Sequence, residues 1–241
     1  MNPALWLTAA WAATSTIAGI ALYRTVIPRA APLGTTPVDP TNRTSVTMAD
    51  ARGHGMSGGN HVGLGHLDQA DYLGWLRRIV TTVGDQAQIL LHGLSMGGAT
   101  ALMLSGNPQL PKQVTAVIDD CGYTSATAEF RHHLHQLAHV PRIFPGVAIA
   151  SLLTRLRAGY RLRDVDARTA ASRTTLPVLV IHGDADTYNP TWMGQQIHAA
   201  VRGPKQLWLA PAAGHGESFF LHRDDYEHQV KTFCGINNPV N

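Results

Sequence analysis

Short runs rich in leucine, isoleucine and valine alternate along this chain with stretches that repeat apolar residues every three or four positions, and that alternation restricts the fold more than any other feature. Runs at residues 88–92, 114–119, 177–182 and 206–210, with a further one at 45–49, are predicted strands, and helical patterns fall at about 67–83, 96–105, 191–201 and 221–233. A helix between two strands returns the chain across the sheet, so neighbouring strands run parallel rather than as hairpins. The prediction is an α/β fold, a mostly parallel sheet with helices on both faces. Sheets of this kind form their sites at the carboxyl ends of the strands.

The interval between the runs at 114–119 and 177–182 is too long for one crossover. Its sequence reads as two or more helices interrupted by Pro141 and Pro145, a helical cap over about 123–173 inserted into a domain spanning 46–241. Residues 29–45 are rich in Pro, Thr and Gly without a hydrophobic period, and read as a linker. No charged side chain occurs from Met1 to Tyr23, and residues 4–23 match the roughly twenty needed to cross a bilayer as a helix. Residues 1–28 are therefore expected to be a single-pass anchor in the cell membrane. Ala10-Trp11-Ala12 also has the small-x-small form of a signal cleavage site, which would give a secreted protein. Arg24 and Arg29 follow the segment, and by charge bias they keep the domain on the cytoplasmic side.

A chain of 241 residues can bury one sizeable core. The formal net charge is +3, and the basic residues are scattered rather than clustered, which argues against a nucleic-acid surface. Cys121 and Cys234 have neither zinc-ligand spacing nor a disulfide framework around them. His132, His135 and His139 share one helix face, but no carboxylate or cysteine accompanies them at ligand spacing, so they read as part of a polar cap helix rather than a metal site. No phosphate-binding glycine loop is present, and no cofactor is expected.

The chemistry gathers around "LLHGLSMGGAT". Serine is a weak nucleophile until a base within hydrogen-bond reach takes its proton and a third group orients that base. Gly93-Leu94-Ser95-Met96-Gly97 is a Gly-x-Ser-x-Gly sequence between a strand and a helix, where glycines permit the tight turn that exposes the hydroxyl. The helix opening at Met96 aims its N–H groups at the same place, and Met96 N–H is the natural donor to an oxyanion. Downstream, "PVLVIHGDADTYNP" is a strand running into an acidic loop, where either Asp184 or Asp186 is placed to orient a base. Then "KQLWLAPAAGHGES" ends the last strand at His215, flanked by Gly214 and Gly216. His54, in Arg52-Gly53-His54-Gly55, is an alternative base. His92 and His182 each precede a glycine at a strand end and read as turn anchors.

Taken in order, "DARGHGMSGG", "DYLGWL", "HGLSMGGATALM", "DDCGYTS", "RAGYRL", "VLVIHGDADTYNP" and "PAAGHG" resemble the α/β-hydrolase family. Within it, the likeness is to bacterial serine-aminopeptidase-like and monoacylglycerol-lipase-like hydrolases, many of which carry an N-terminal membrane segment. The resemblance runs from about Met48 to the C-terminus. It implies a serine hydrolase cleaving carboxylic esters, with amides as a secondary class, in small-molecule acyl substrates. It also implies a triad of Ser95, Asp186 and His215, with Asp184 structural and the "RGHG" segment a structural turn. A haloperoxidase-like or carbon–carbon hydrolase on the same triad is a further reading.

One family feature is missing. A strand ending in His-Gly normally precedes the "DxRGHG" segment, lies centrally in the sheet and supplies the second oxyanion donor, yet residues 1–47 hold no His-Gly pair. Either the neighbouring strands close together, the segment "STIAGIALYRTVIP" replaces the strand, or the chain is a deleted relic that folds badly; the alternative function is a catalytically weak or inactive membrane-tethered relic of the fold.

Overall fold

The computed structural model describes residues 46–138 and 145–235. The expected membrane segment at 1–28, the linker at 29–45 and His139 lie outside them. Among the described residues no helix is long and apolar enough to cross a membrane. The chain divides into two compact units, Met1–Asp68 with Ala126–Val165, and Gln69–Ser125 with Asp166–Asn241. Of the predicted cap at 123–173, residues 126–165 therefore group with the N-terminal part of the chain, and the rest group with the sheet.

The second unit holds a parallel sheet of four strands among the described residues, β1 (Ile89–Leu94), β2 (Val114–Asp120), β3 (Val178–Gly183) and β4 (Lys205–Ala210), in the order β1-β2-β3-β4. Helix α1 (Asp68–Val83) precedes β1, and α2 (Met96–Ser105) follows it. In β3, Val178, Leu179, Val180 and Ile181 are all fully buried, each stabilising the fold by about 1.5–3 kcal/mol. A run of branched side chains buried on both faces is what a central parallel strand requires.

Strand parity puts helices on both faces. Ile118, Leu179 and Ile181 point one way and pack against Tyr226 of α8 (Arg223–Phe233). The opposite face carries Asp119, which lies against Gly98 of α2, and His182, which lies against Gly194 of α6 (Trp192–Ala200). A short α5 (Ala167–Ala171) leads toward β3, started by Asp166, whose side chain accepts from Thr169 N at 2.8 Å.

Two boundaries depart from the sequence reading. Among the described residues, 46–49 add no strand to this sheet, and Val46 and Met48 stand 67% and 59% exposed. The helix expected at 221–233 is two, α7 (Ser218–Leu221) and α8. His222 leaves helical geometry between them, and its Nε2 lies 2.7 Å from the Pro211 carbonyl, a tertiary bond that outcompetes one helical turn.

In the first unit, α3 (Ala126–Ala138) and α4 (Gly146–Ala158) flank the segment containing Pro141. Gly159, at φ 83°, closes α4 through its N–H to the Arg155 carbonyl. Tyr160 is buried, and its hydroxyl donates to the Val62 carbonyl at 2.9 Å. The "RGHG" segment is a turn tied to Asp50, which accepts from Met56 N and, through its own carbonyl, from the Ser57 hydroxyl. His54 sits inside that turn, with its Nδ1 3.1 Å from the Arg52 carbonyl.

Candidate active site

The site is assembled from three strand ends of the second unit. β1 runs into Ser95, which adopts φ 54° and ψ −115°, left-handed geometry that a residue with a side chain occupies only under constraint. The constraints are visible. Ser95 N donates to the Asp120 carbonyl at 2.7 Å, and the Ser95 carbonyl accepts from Ala99 N at 3.1 Å. A Cβ on Gly93 would overlap the Gly97 carbonyl, and one on Gly98 would overlap the Asp119 carboxylate, whereas one on Gly97 would meet nothing within 4 Å. Sterically, the turn needs Gly93 and Gly98 rather than the second glycine of the motif.

The hydroxyl's partner comes from the far end of the sequence. His215, after β4, places Nε2 2.9 Å from Ser95 Oγ and Nδ1 2.8 Å from Asp186 Oδ2. With Nδ1–H donating to the carboxylate, Nε2 is left to accept the serine proton. The imidazole is a quarter exposed, while the Asp186 carboxylate is buried. Asp186 Oδ1 accepts from Tyr188 N and Asn189 N, both at 2.9 Å. Burial works to raise the Asp186 carboxyl, but the imidazoles of His182 and His215 on Oδ2 hold it down at about 2. Asp184 does different work, accepting from Ala212 N at 2.6 Å and so tying the acid loop to the loop of His215. Of the two aspartates left open by the residues alone, Asp186 meets the imidazole. Met96 opens α2, in the first turn, where backbone N–H groups have no intrahelical acceptor.

Behind these residues lies a polar layer that includes His182 and His92, which the sequence marked only as turn anchors. His182 is fully buried, with Nε2 2.8 Å from the Asn189 carbonyl and 3.4 Å from Asp186 Oδ2. The Asn189 side chain donates to the Cys121 carbonyl at 2.7 Å, linking the acid loop to the end of β2. Tyr226 donates to Asp120 Oδ2 at 2.9 Å and accepts from His92 Nε2 at 2.8 Å. The His-Gly pairs at strand ends were the available signal, but strand position alone does not say which loop a ring meets. Cys121, Asp186 and His215 bring one potential metal-ligand atom each within 4.8 Å. Burial pushes the Cys121 thiol up, away from the thiolate that binds metals, and the other two are bonded to each other. Of the cap histidines, His132 has its Nε2 3.1 Å from Gln136 Nε2.

Asp119 is fully buried on β2, and burial pushes its carboxyl from 3.8 up to about 7, with His182 pulling the other way. A carboxyl raised by folding favours the protonated native state. Its contribution is full below pH ~4 and is lost as pH climbs through ~7. Asp119→Asn is expected to remove that loss, so that its stability relative to wild type rises between pH ~4 and pH ~8, read from urea midpoints across the range.

Comparisons with known proteins agree with this architecture. The sequence model of the Alpha/beta hydrolase family matches residues 30–229. The chain is 29% identical over 194 residues to the uncharacterized protein YqkD of Bacillus subtilis, covering 80% of this chain and 63% of that one. It is 29% identical over 206 residues to the uncharacterized protein YfhR of Escherichia coli K12, covering 84% and 64%. It thus spans less than two thirds of these curated relatives. Among solved structures, the Pyrococcus furiosus esterase Pf2001 superposes with a TM-score of 0.57 at 19% identity, covering 76% of this chain and 67% of that one. A hydrolase from Pseudomonas aeruginosa PA01 superposes at 0.55 and 20% identity, covering 86% and 90%. With a parallel sheet flanked by helices and a family match over most of its length, the chain belongs to the alpha/beta hydrolase family.

Proposed function

We propose that the chain is a serine hydrolase that cleaves carboxylic esters of small molecules through an acyl-enzyme on Ser95. The observation that carries this reading is the unbroken chain of hydrogen bonds from Ser95 Oγ through His215 to Asp186. Ser95 Oγ attacks the ester carbonyl as His215 Nε2 takes its proton. Asp186 stabilises the imidazolium and keeps the ring turned toward the serine. Met96 N–H donates to the oxygen that becomes negative. Collapse of the tetrahedral intermediate expels the alcohol, which receives the proton from His215, and water then releases the acid by the same steps in reverse.

A second reading, a catalytically weak relic of the fold, is favoured by one observation. β1 has no strand on its outer side among the described residues, and Leu90 and Leu94 stand exposed there. The strand expected on that side also brings the second oxyanion donor, whose loss costs roughly a hundred- to a thousandfold.

A fluorophosphonate probe separates the two. Stoichiometric labelling of folded wild-type protein, located by mass spectrometry on the peptide containing Ser95, is the expected result. Folded protein that takes up no label would reject the serine hydrolase.

A further inference from the structure

Asp186 Oδ2 has two imidazoles on it. One is His215, at 2.8 Å through Nδ1. The other, His182, comes from the end of β3, four residues before the acid, and is fully buried. We propose that His182 is a positioning residue for Asp186: with its Nε2 anchored on the Asn189 carbonyl at 2.8 Å, it stands 3.4 Å from Asp186 Oδ2, an electrostatic contact that keeps the carboxylate in the orientation His215 needs. The inference rests on Asp186 acting as the acid of a working serine hydrolase.

The proton's place follows from the partners. Nε2 faces two oxygens that can only accept, a carbonyl and a carboxylate, so Nε2 carries the hydrogen. Nδ1 is buried and has no hydrogen-bond partner, and it lies against Gly194, where a Cβ would press on the ring. The glycine in α6 makes room for this imidazole in this position.

The second contact on Oδ2 also completes the set around the acid. Tyr188 N and Asn189 N bond Oδ1, His215 bonds Oδ2, and His182 Nε2 stands 3.4 Å from Oδ2 on its other side. Without His182, Oδ2 keeps only the bond to His215, and the two move as a pair. Misplacing a base by a fraction of an ångström costs turnover more than binding, because the reacting geometry is what is lost.

Two amide replacements of similar polarity discriminate position from packing. In glutamine the side-chain amide nitrogen reaches about where Nε2 lies, and in asparagine only about where Nδ1 lies. With p-nitrophenyl butyrate as substrate, and active sites counted by fluorophosphonate titration, His182→Gln is expected to keep kcat per site within about threefold of wild type. His182→Asn is expected to lose about 10- to 100-fold in kcat with KM nearly unchanged. Equal kcat per site in the two variants, or a full kcat in H182N, overturns the proposal.

A measurement on the wild type needs no variant to fold. Long-range proton–nitrogen NMR is expected to show His182 protonated on Nε2, and a ring protonated on Nδ1 alone has nothing to donate and overturns the proposal. Wild-type protein that takes no label and turns over no ester instead removes the serine hydrolase reading beneath it, an outcome distinct from either of these.

Discussion

Replacing Ser95 with alanine, His215 with alanine, or both together is expected to lower the turnover of p-nitrophenyl butyrate by the same factor, about 10⁴- to 10⁶-fold in each case. The equality is the informative part. Ser95 Oγ and His215 Nε2 share one proton across 2.9 Å, and neither has a use without the other. The base has nothing to deprotonate once the hydroxyl is gone, and the hydroxyl has no acceptor for its proton once the imidazole is gone. Losses that multiplied in the double variant would assign the two residues to separate steps. Stability separates chemistry from folding in the same proteins. The His215 ring is a quarter exposed and Ser95 lies at the rim, so removing either leaves no large cavity. The unfolding midpoint of each variant is expected to stay within about 3 °C of wild type.

Gly93→Ala is expected to be the most destabilising single methyl that can be added near the site, while Gly97→Ala, two positions past the nucleophile, is expected to be neutral or stabilising. A Cβ at 93 would enter the space of the Gly97 carbonyl and reach the Gly98 nitrogen, both backbone. Backbone there cannot yield cheaply. On one side Gly93 is paired with Asp119 in the β1–β2 ladder, and on the other the turn is held by Ser95 N on the Asp120 carbonyl. The cost is expected to be about 4 kcal/mol or more, which lowers the midpoint by roughly 8–16 °C in a domain of this size. At 97 the added methyl meets nothing within 4 Å and sits in the first turn of α2, where alanine is favoured over glycine by up to about 1 kcal/mol. Calorimetry of the two variants checks both signs, and similar midpoints would mean that the turn relaxes in a way the described packing does not allow.

Much of this architecture was legible before any coordinates. Four apolar runs became the four strands, each within two residues of its expected ends, because a strand buried on both faces has to be written in branched apolar residues. Ser95 and His215 were marked by glycine and by position, since a residue just past a parallel strand projects at the sheet's carboxyl rim. The choice between Asp184 and Asp186 was not local. Both lie in one tight loop; the family resemblance pointed to Asp186, and the hydrogen bonds of Asp184 to Ala212 N and of Asp186 to His215 give the physical difference. His222 was hidden for a similar reason, since its helical neighbours set the periodicity while its ring follows the Pro211 carbonyl. The contact between His182 and Asp186 was obscured because a histidine before a glycine at a strand end already has an adequate explanation as a turn anchor.

The placement of β1 carries a liability as well as a site. The strand that delivers the nucleophile is joined to the sheet through β2 alone among the described residues, while the strands that deliver the acid and anchor the cluster of Ile118, Leu179 and Ile181 lie deeper. Among the described residues β4, which leads to His215, is likewise paired on one side only, so the nucleophile and its base hang from the two outermost strands while the acid hangs from an inner one. Proton transfer between Ser95 and His215 therefore depends on the whole width of the ladder holding its register.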